Sequence, residues 1–233
     1  MKRIYVILFF MCLSLQMFPQ GTRFSIIAAP QLTWMKPDDM NVENQGIRPG
    51  IEYGLNLDKF FSENAAFHTG ITLTNLGGKL KFKDPLIPFE HSGETDTLME
   101  GTEITYKLQY VNIPLGLKFI TNEIGYLTYY GNIGINPQIR VKSQADLSRD
   151  GNPIFTEGNE TEVTNTKINK EMNLFNMGYH IGAGIQYSLG INASLLAGLT
   201  YYNGFLDVTK NRDHFLEDKI IINGFTLNLG IMF

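Results

Sequence analysis

Apolar and polar residues alternate one by one along most of this chain. The final stretch shows it plainly: Phe225, Leu227, Leu229, Ile231 and Phe233 are apolar, with Thr226, Asn228 and Gly230 between them. A period of two belongs to a strand with one oily and one polar face. In "IEYGLNLD" the apolar Ile51, Tyr53, Leu55 and Leu57 oppose Glu52, Gly54, Asn56 and Asp58. In "MGYHIGAGIQYSL" the alternation runs from Met177 to Leu189, with Gly178, His180, Gly182, Gly184, Gln186 and Ser188 on the second side. That run exceeds the usual soluble strand of about 5 or 6 residues, and its second side is too polar for a sandwich interior. Segments at 22–36, 65–83, 102–119, 125–143, 190–208 and 219–233 complete a set of eight.

The connections alternate in length. Short ones fall around 60–64, 121–124 and 189–191, and long ones around 37–46, 84–101, 144–171 and 210–218. An even number of strands, an antiparallel meander and short-long alternation predict an all-β fold: an eight-stranded antiparallel up-and-down transmembrane β-barrel of the outer-membrane type. Lipid offers no partner for an unpaired backbone N–H or C=O, so the last strand has to close on the first. A soluble ligand-carrying barrel of the lipocalin kind would need an apolar interior and a polar exterior. Here the polar side carries Glu52, Lys118, His180 and Gln186, which favours the membrane.

Composition adds a route and removes several functions. "MKRIYVILFFMCLSLQMFPQG" has Lys2 and Arg3 before an apolar run from Ile4 to Leu15, the form of a secretory signal with cleavage near Gln20. Cys12, the one cysteine, lies inside that run, so the mature chain has no thiol for a disulfide, a metal or a nucleophile. Residues 1–20 hold two of the 19 basic and none of the 23 acidic residues, which leaves 17 against 23 and a formal charge of −6. That balance argues against nucleic acid as a partner. The expected domains are a signal at 1–20 and one barrel at 21–233.

One stretch breaks the pattern. In "TYKLQYVNIPLGLKF" the apolar parity is even at Tyr106, Leu108 and Tyr110, then odd at Val111, Ile113, Leu115, Leu117 and Phe119. Keeping one face oily predicts a one-residue insertion near Tyr110 and Val111, with Pro114 unable to donate to the ladder. Residues Tyr110 to Lys118 of this stretch resemble the Y-[LV]-x-[IV]-P-L-x-x-K strand of the PorT-like outer-membrane β-barrel proteins of the Bacteroidota, a porin-type family. "FFSENAAFHTGITLTNLGGKL" is similar to that family's turn and third strand, and "YLTYYGNIGINPQI" to the strand after the motif. Asn112 and Gly116 stand where the family pattern has glutamate and leucine. The resemblance implies a barrel in the outer membrane, and its founding member implies a link to protein secretion. The aromatic Phe233 at the carboxyl end resembles the signal by which bacterial outer-membrane proteins are recognised for assembly.

No phosphate loop, zinc-protease or serine-hydrolase motif, dinucleotide fingerprint or calcium loop is present, and no cofactor or metal site is expected. His180 is placed inward at mid-strand, with Ser188 roughly 26 Å away along the same face, out of reach of a base. His68 is placed near the periplasmic side, and His91 and His214 in or beside loops; Asp213, His214 and Glu217 form an outer-surface group. The inward polar set is Glu52, Lys118, Asn132, Arg140, His180, Gln186 and Asn228. In eight strands side chains fill the lumen, so opposite charges should pair, with Lys118 and Glu52 as the expected partners, and the interior should be a plug. Residues 84–103 are acidic and lack Lys and Arg, and 144–171 are rich in Asn, Thr and Glu. Such loops suit recognition, and "DTL" at 96–98 resembles a short glycosylation sequon of the same bacterial phylum. The expected function is non-enzymatic: a structural or interaction barrel, an accessory of a secretion or assembly machine. Its expected partners are outer-membrane lipid, the assembly machinery and a secretion-system or surface protein. A small ion or solute channel is the alternative, and a lipid- or peptide-modifying enzyme the third reading.

Overall fold

The computed structural model describes residues 21–38, 40–83, 87–91, 94–98, 100–149, 152–153, 164–190, 193–210 and 219–233. Residues 1–20 with Cys12, the Asp213–His214–Glu217 group and the acidic side chains at 84–98 lie outside the described residues. The strands are β1 (Thr22–Pro37), β2 (Val42–Gly46), β3 (Arg48–Ser62), β4 (Ala65–Phe82), β5 (Ile87–His91), β6 (Glu94–Leu98) and β7 (Thr102–Asn112). They continue as β8 (Leu115–Ile120), β9 (Leu127–Arg149), β10 (Asn152–Pro153), β11 (Thr166–Lys167), β12 (Phe175–Ser188), β13 (Ser194–Gly204) and β14 (Ile220–Met232).

Eight staves close into a ring. β1, β3 and β4 lie side by side, and β7 and β8 run end to end as one stave between β4 and β9. β12, β13 and β14 follow, and β14 returns to β1. Every pairing is antiparallel, as short hairpins demand. The seam is fully laced: Ile26 faces Ile231, Leu32 faces Phe225, and Phe24 and Phe233 exchange both backbone bonds at 3.0 and 2.8 Å. The chain therefore ends inside a ladder, which removes the last unpaired edge. Observed strands match the predicted eight segments closely. Two expected loops are shorter than foreseen, because residues 42–46 form β2 against β4 and residues 144–149 extend β9.

Around the middle of the ring the outward residues are large and apolar. Ile26, Leu55, Ile71, Leu115, Ile133, Ile181, Leu199 and Leu227 are all exposed. The inward residues at the same level are glycines and polar side chains. Towards the long-loop end, β4, β7 and β9 rise beyond this belt and the two faces exchange character. Leu76, Leu80, Phe82, Ile104, Tyr106, Leu108, Tyr110, Ala145 and Leu147 now point inward and are buried. Thr105, Lys107, Gln109, Gln144 and Asp146 point outward. Met35, Val42, Ile168, Met172, Val208, Ile220 and Ile222 complete the inner cluster. It closes the lumen at that end with an apolar layer. Burial there, reinforced by the Glu171 carboxylate, pushes the Tyr106 phenol above its ordinary pKa.

This exchange corrects the reading of the parity break. Tyr106, Leu108 and Tyr110 do not face lipid, and β7 gains no residue near Tyr110 and Val111; its even positions stay inward throughout. The extra residue is Val141 on β9, where Gln109 faces Lys142 and Tyr110 faces Arg140. Val141 and Lys142 are both exposed, and Ser143, Ala145 and Leu147 then turn inward. The bulge sits where the belt ends, re-phasing β9 as it leaves one solvent for another. Pro114 separates β7 from β8 without changing register: Asn112 and Leu115 face Thr72 and Thr69 on one side, and Gln138 and Ile135 on the other.

If this upper layer is a packed core, Ile104→Ala should destabilise the folded barrel by about 2–5 kcal/mol. The outward neighbour change Thr105→Ala should stay within about 0.5 kcal/mol. Urea titration in lipid, followed by tryptophan emission and by the heat-modifiable gel band, reads both.

Candidate functional site

The lumen at belt level is where the predicted polar set converges. Glycine on neighbouring strands makes the space for its larger members. A Cβ at Gly198 would stand 2.1 Å from the Tyr130 hydroxyl oxygen, and one at Gly178 would stand 2.6 Å from the Tyr202 ring. Both aromatics lie flat across the facing strands, so the glycine spacing of β12 and β13 serves packing as well as alternation.

In the half nearer the short turns, Asp58 is the hub. The Lys118 ammonium reaches its Oδ2 at 2.5 Å, and His68 Nδ1 meets its Oδ1 at 2.5 Å. Asp58 and Lys118 are each only 1–2% exposed. The Lys118 Nζ also lies 4.8 Å above the Tyr130 ring, a cation–π contact that helps replace lost hydration. His68 meets His180 edge-on, with ring centroids 6.5 Å apart, and the His180 Nδ1 pairs with the Asn136 side-chain oxygen. The expected pairing of Lys118 with Glu52 is thus overturned. β3 and β4 are joined by a tight turn that sets Asp58 opposite His68, and Lys118 on β8 faces Ala66 only two residues away on β4. Glu52 lies further along β3, opposite Thr74.

Glu52 takes neutral donors instead. Thr72 Oγ1 donates to its Oε1 at 2.6 Å, and Asn112 Nδ2 donates to the same oxygen at 3.2 Å and to Thr72 Oγ1 at 3.0 Å. Across the lumen Asn176 Nδ2 donates to Gln138 Oε1 at 2.8 Å and to the Tyr202 hydroxyl at 3.2 Å. Gln31 links Thr74, the Asn75 carbonyl and Thr226, which ties β1 to β4 and β14. Asn228 donates to Thr200 at 2.8 Å. Asn132 and Gln186 lie on the inner wall of β9 and β12, with Gln186 buried. Between these groups lies a cavity of about 70 Å³, bordered by Glu52, Asn112, Asn132, His180 and Asn228 among others. The side-chain oxygens of Asn56, Asn112 and Asn132 are buried without a hydrogen-bond partner.

Arg140 faces inward at the top of the belt, but its partners come from the loop before β12. It donates to Asn169 Oδ1 at 3.2 Å and to the Asn169 carbonyl at 3.1 Å, and it also contacts Ser143. Phe233 is exposed at the short-turn rim beside Phe24. Reasoning from sequence missed Asp58, His68, Thr72, Asn112, Gln138, Asn176 and Tyr202 as members of the network. The even parity of "TYKLQYVN" and "INPQI" was the available signal for Asn112 and Gln138. Among the described residues no serine or threonine hydroxyl meets His180, so no nucleophile and base are joined there.

Lys118→Met and Asp58→Asn should each cost about 3–5 kcal/mol, because either change strands a buried charge. The double variant should lose clearly less than the sum, whereas Lys118→Met combined with Glu52→Gln should be additive. Unfolding free energies of these four variants and of Glu52→Gln alone, in one lipid system, give the comparison.

The model of a family described as outer membrane protein beta-barrel domain matches residues 17–210. Among solved structures, the attachment invasion locus protein Ail of Yersinia pestis is similar at 16% identity and a TM-score of 0.44, covering 92% of this chain and 100% of that one. OprG from Pseudomonas aeruginosa is similar at 13% identity and a TM-score of 0.47, covering 93% and 97%. The neisserial surface protein NspA is similar at 12% identity and a TM-score of 0.44, covering 91% and 98%. No curated protein matches the chain. The chain belongs to the outer membrane protein beta-barrel domain family, proteins of the bacterial outer membrane.

Proposed function

We propose that this chain is a non-enzymatic, non-conducting barrel serving as a structural or interaction protein, with recognition carried by its long outer loops and the wall that bears them. The observation that carries this reading is the apolar layer at the long-loop end, built on Leu80, Ile104, Leu108, Met172 and Ile222. A solute crossing the lumen would have to part that layer after passing the Asp58–Lys118 pair, and each step is costly. The same layer supports a polar outer sheet made of β2, β4, β7 and β9, with ion pairs Lys83–Glu43, Lys79–Glu103 and Lys107–Asp146 on its surface. A rigid, charged wall of this kind suits protein docking better than catalysis.

The finer identity rests on the strand Tyr110–Lys118 and its likeness to the PorT-like motif, which supports an accessory role in secretion or assembly in a member of the Bacteroidota. Export through a leader cleaved near Gln20 and capture of Phe233 by the assembly machinery belong to the same proposal.

Purified protein in planar bilayers should give no conductance steps, and regular openings would remove the non-conducting reading. An affinity pull-down from solubilised native membranes should recover a stoichiometric partner. Excision of residues 84–99 should abolish that capture and leave the heat-modifiable folded band intact. Recovery of the intact barrel alone from native membranes would end the recognition reading.

A further inference from the structure

Among the described residues the fixed charges that line the cavity are Glu52 and Lys118, while Arg140, at the top of the belt, is held by Asn169. Asp58 takes both Lys118 and His68. Glu52 is in no ion pair; its contacts are the Thr72 hydroxyl and the Asn112 amide, both on Oε1. An anion held inside a membrane barrel by neutral donors alone is expensive, and something has to compensate it.

The neighbouring atoms indicate what does. Asn112 is 2% exposed. Its amide nitrogen is committed to Glu52 and Thr72, which leaves its carbonyl oxygen aimed elsewhere, and that oxygen is buried with no partner. The oxygens of Asn56 and Asn132, also without partners, lie lower along the same lumen, against Gly70 and Gly182. A cation answers both needs: it neutralises the carboxylate and binds carbonyl oxygen directly. The cavity of about 70 Å³ has room for an ion and a few waters. An all-oxygen donor set selects a hard ion. One carboxylate among neutral amides is balanced by a single charge, and a divalent ion would leave an excess positive charge in the lumen.

We infer that Glu52 and the Asn112 carbonyl oxygen form a binding site for a hard monovalent cation, with Na⁺ as the fitting ion, its remaining positions filled by water. This site goes beyond the recognition role and does not depend on it.

The test uses the full mature chain folded in detergent at pH 7.5, with NaCl exchanged for N-methylglucamine chloride at constant ionic strength. Wild type should show a saturable rise in its thermal midpoint of about 3–6 °C as Na⁺ replaces the organic cation. Glu52→Gln should abolish the rise, and Asp146→Asn, on the outer wall, should keep it. Equal midpoints of wild type in both salts, or an equal rise in Glu52→Gln, would overturn the site. Should Glu52→Gln not fold, ²³Na line widths of the wild type decide. Saturable broadening that disappears in urea supports the site, and no broadening overturns it.

Discussion

Hydrocarbon offers a peptide group nothing to bond with, and the architecture of this chain follows from that one fact. Each strand at belt level must find partners on both sides, so the sheet curls until β14 meets β1 and the terminal Phe233 is laced to Phe24. Closure then dictates what the two faces can be. The outer face meets lipid and is Ile, Leu, Tyr and Phe; the inner face is lined by glycine, amides and one tight ion triad. Above the belt the outer medium is water, and β4, β7 and β9 invert their faces within a single continuous strand each.

The ring was legible because a period of two is set by local geometry alone. Segments such as 65–83 and 219–233 agree with β4 and β14 to within a residue or so. What misled was an assumption that one solvent applies along a whole strand. Tyr106, Leu108 and Tyr110 are as apolar as any lipid-facing residues, and nothing in their spacing tells a lipid face from a core face. The polar residues between them, Lys107 and Gln109, face outward, which suits β7 because the medium outside it at that height is water.

Site residues were legible by face and illegible by partner. Parity put Glu52, Lys118, His180 and Gln186 inward, where the structure has them. Pairing needs register, and register between β4 and β8 is set across a long connection that periodicity does not constrain. Across the short turn after Ser62 it is set locally: Phe60 faces Ala66, and Asp58 then faces His68. Counting back from that turn was the available route to the Asp58–His68 contact. Lys118 could not be assigned that way, and choosing the more central carboxylate for it was the wrong choice.

The polar lumen needs a reason beyond stability, since buried ion pairs often do no better than well-packed apolar side chains of similar volume. The same chain shows at its upper end that it can build an apolar interior, so the polarity at belt level is a property of place. A strand apolar on both faces would be as oily as a buried core strand, with no hydrophilic side to keep it dissolved before it reaches the membrane. Alternation gives every belt strand a water-compatible face during transit, and closure then hides that face in the lumen. The segments above the belt remain in water after insertion and keep their polar face outward permanently, so their hidden side is free to be Leu, Ile and Phe. One rule, a face matched to whatever solvent lies outside, therefore produces two opposite interiors in one barrel, and the change from one to the other is confined to the level of Val141.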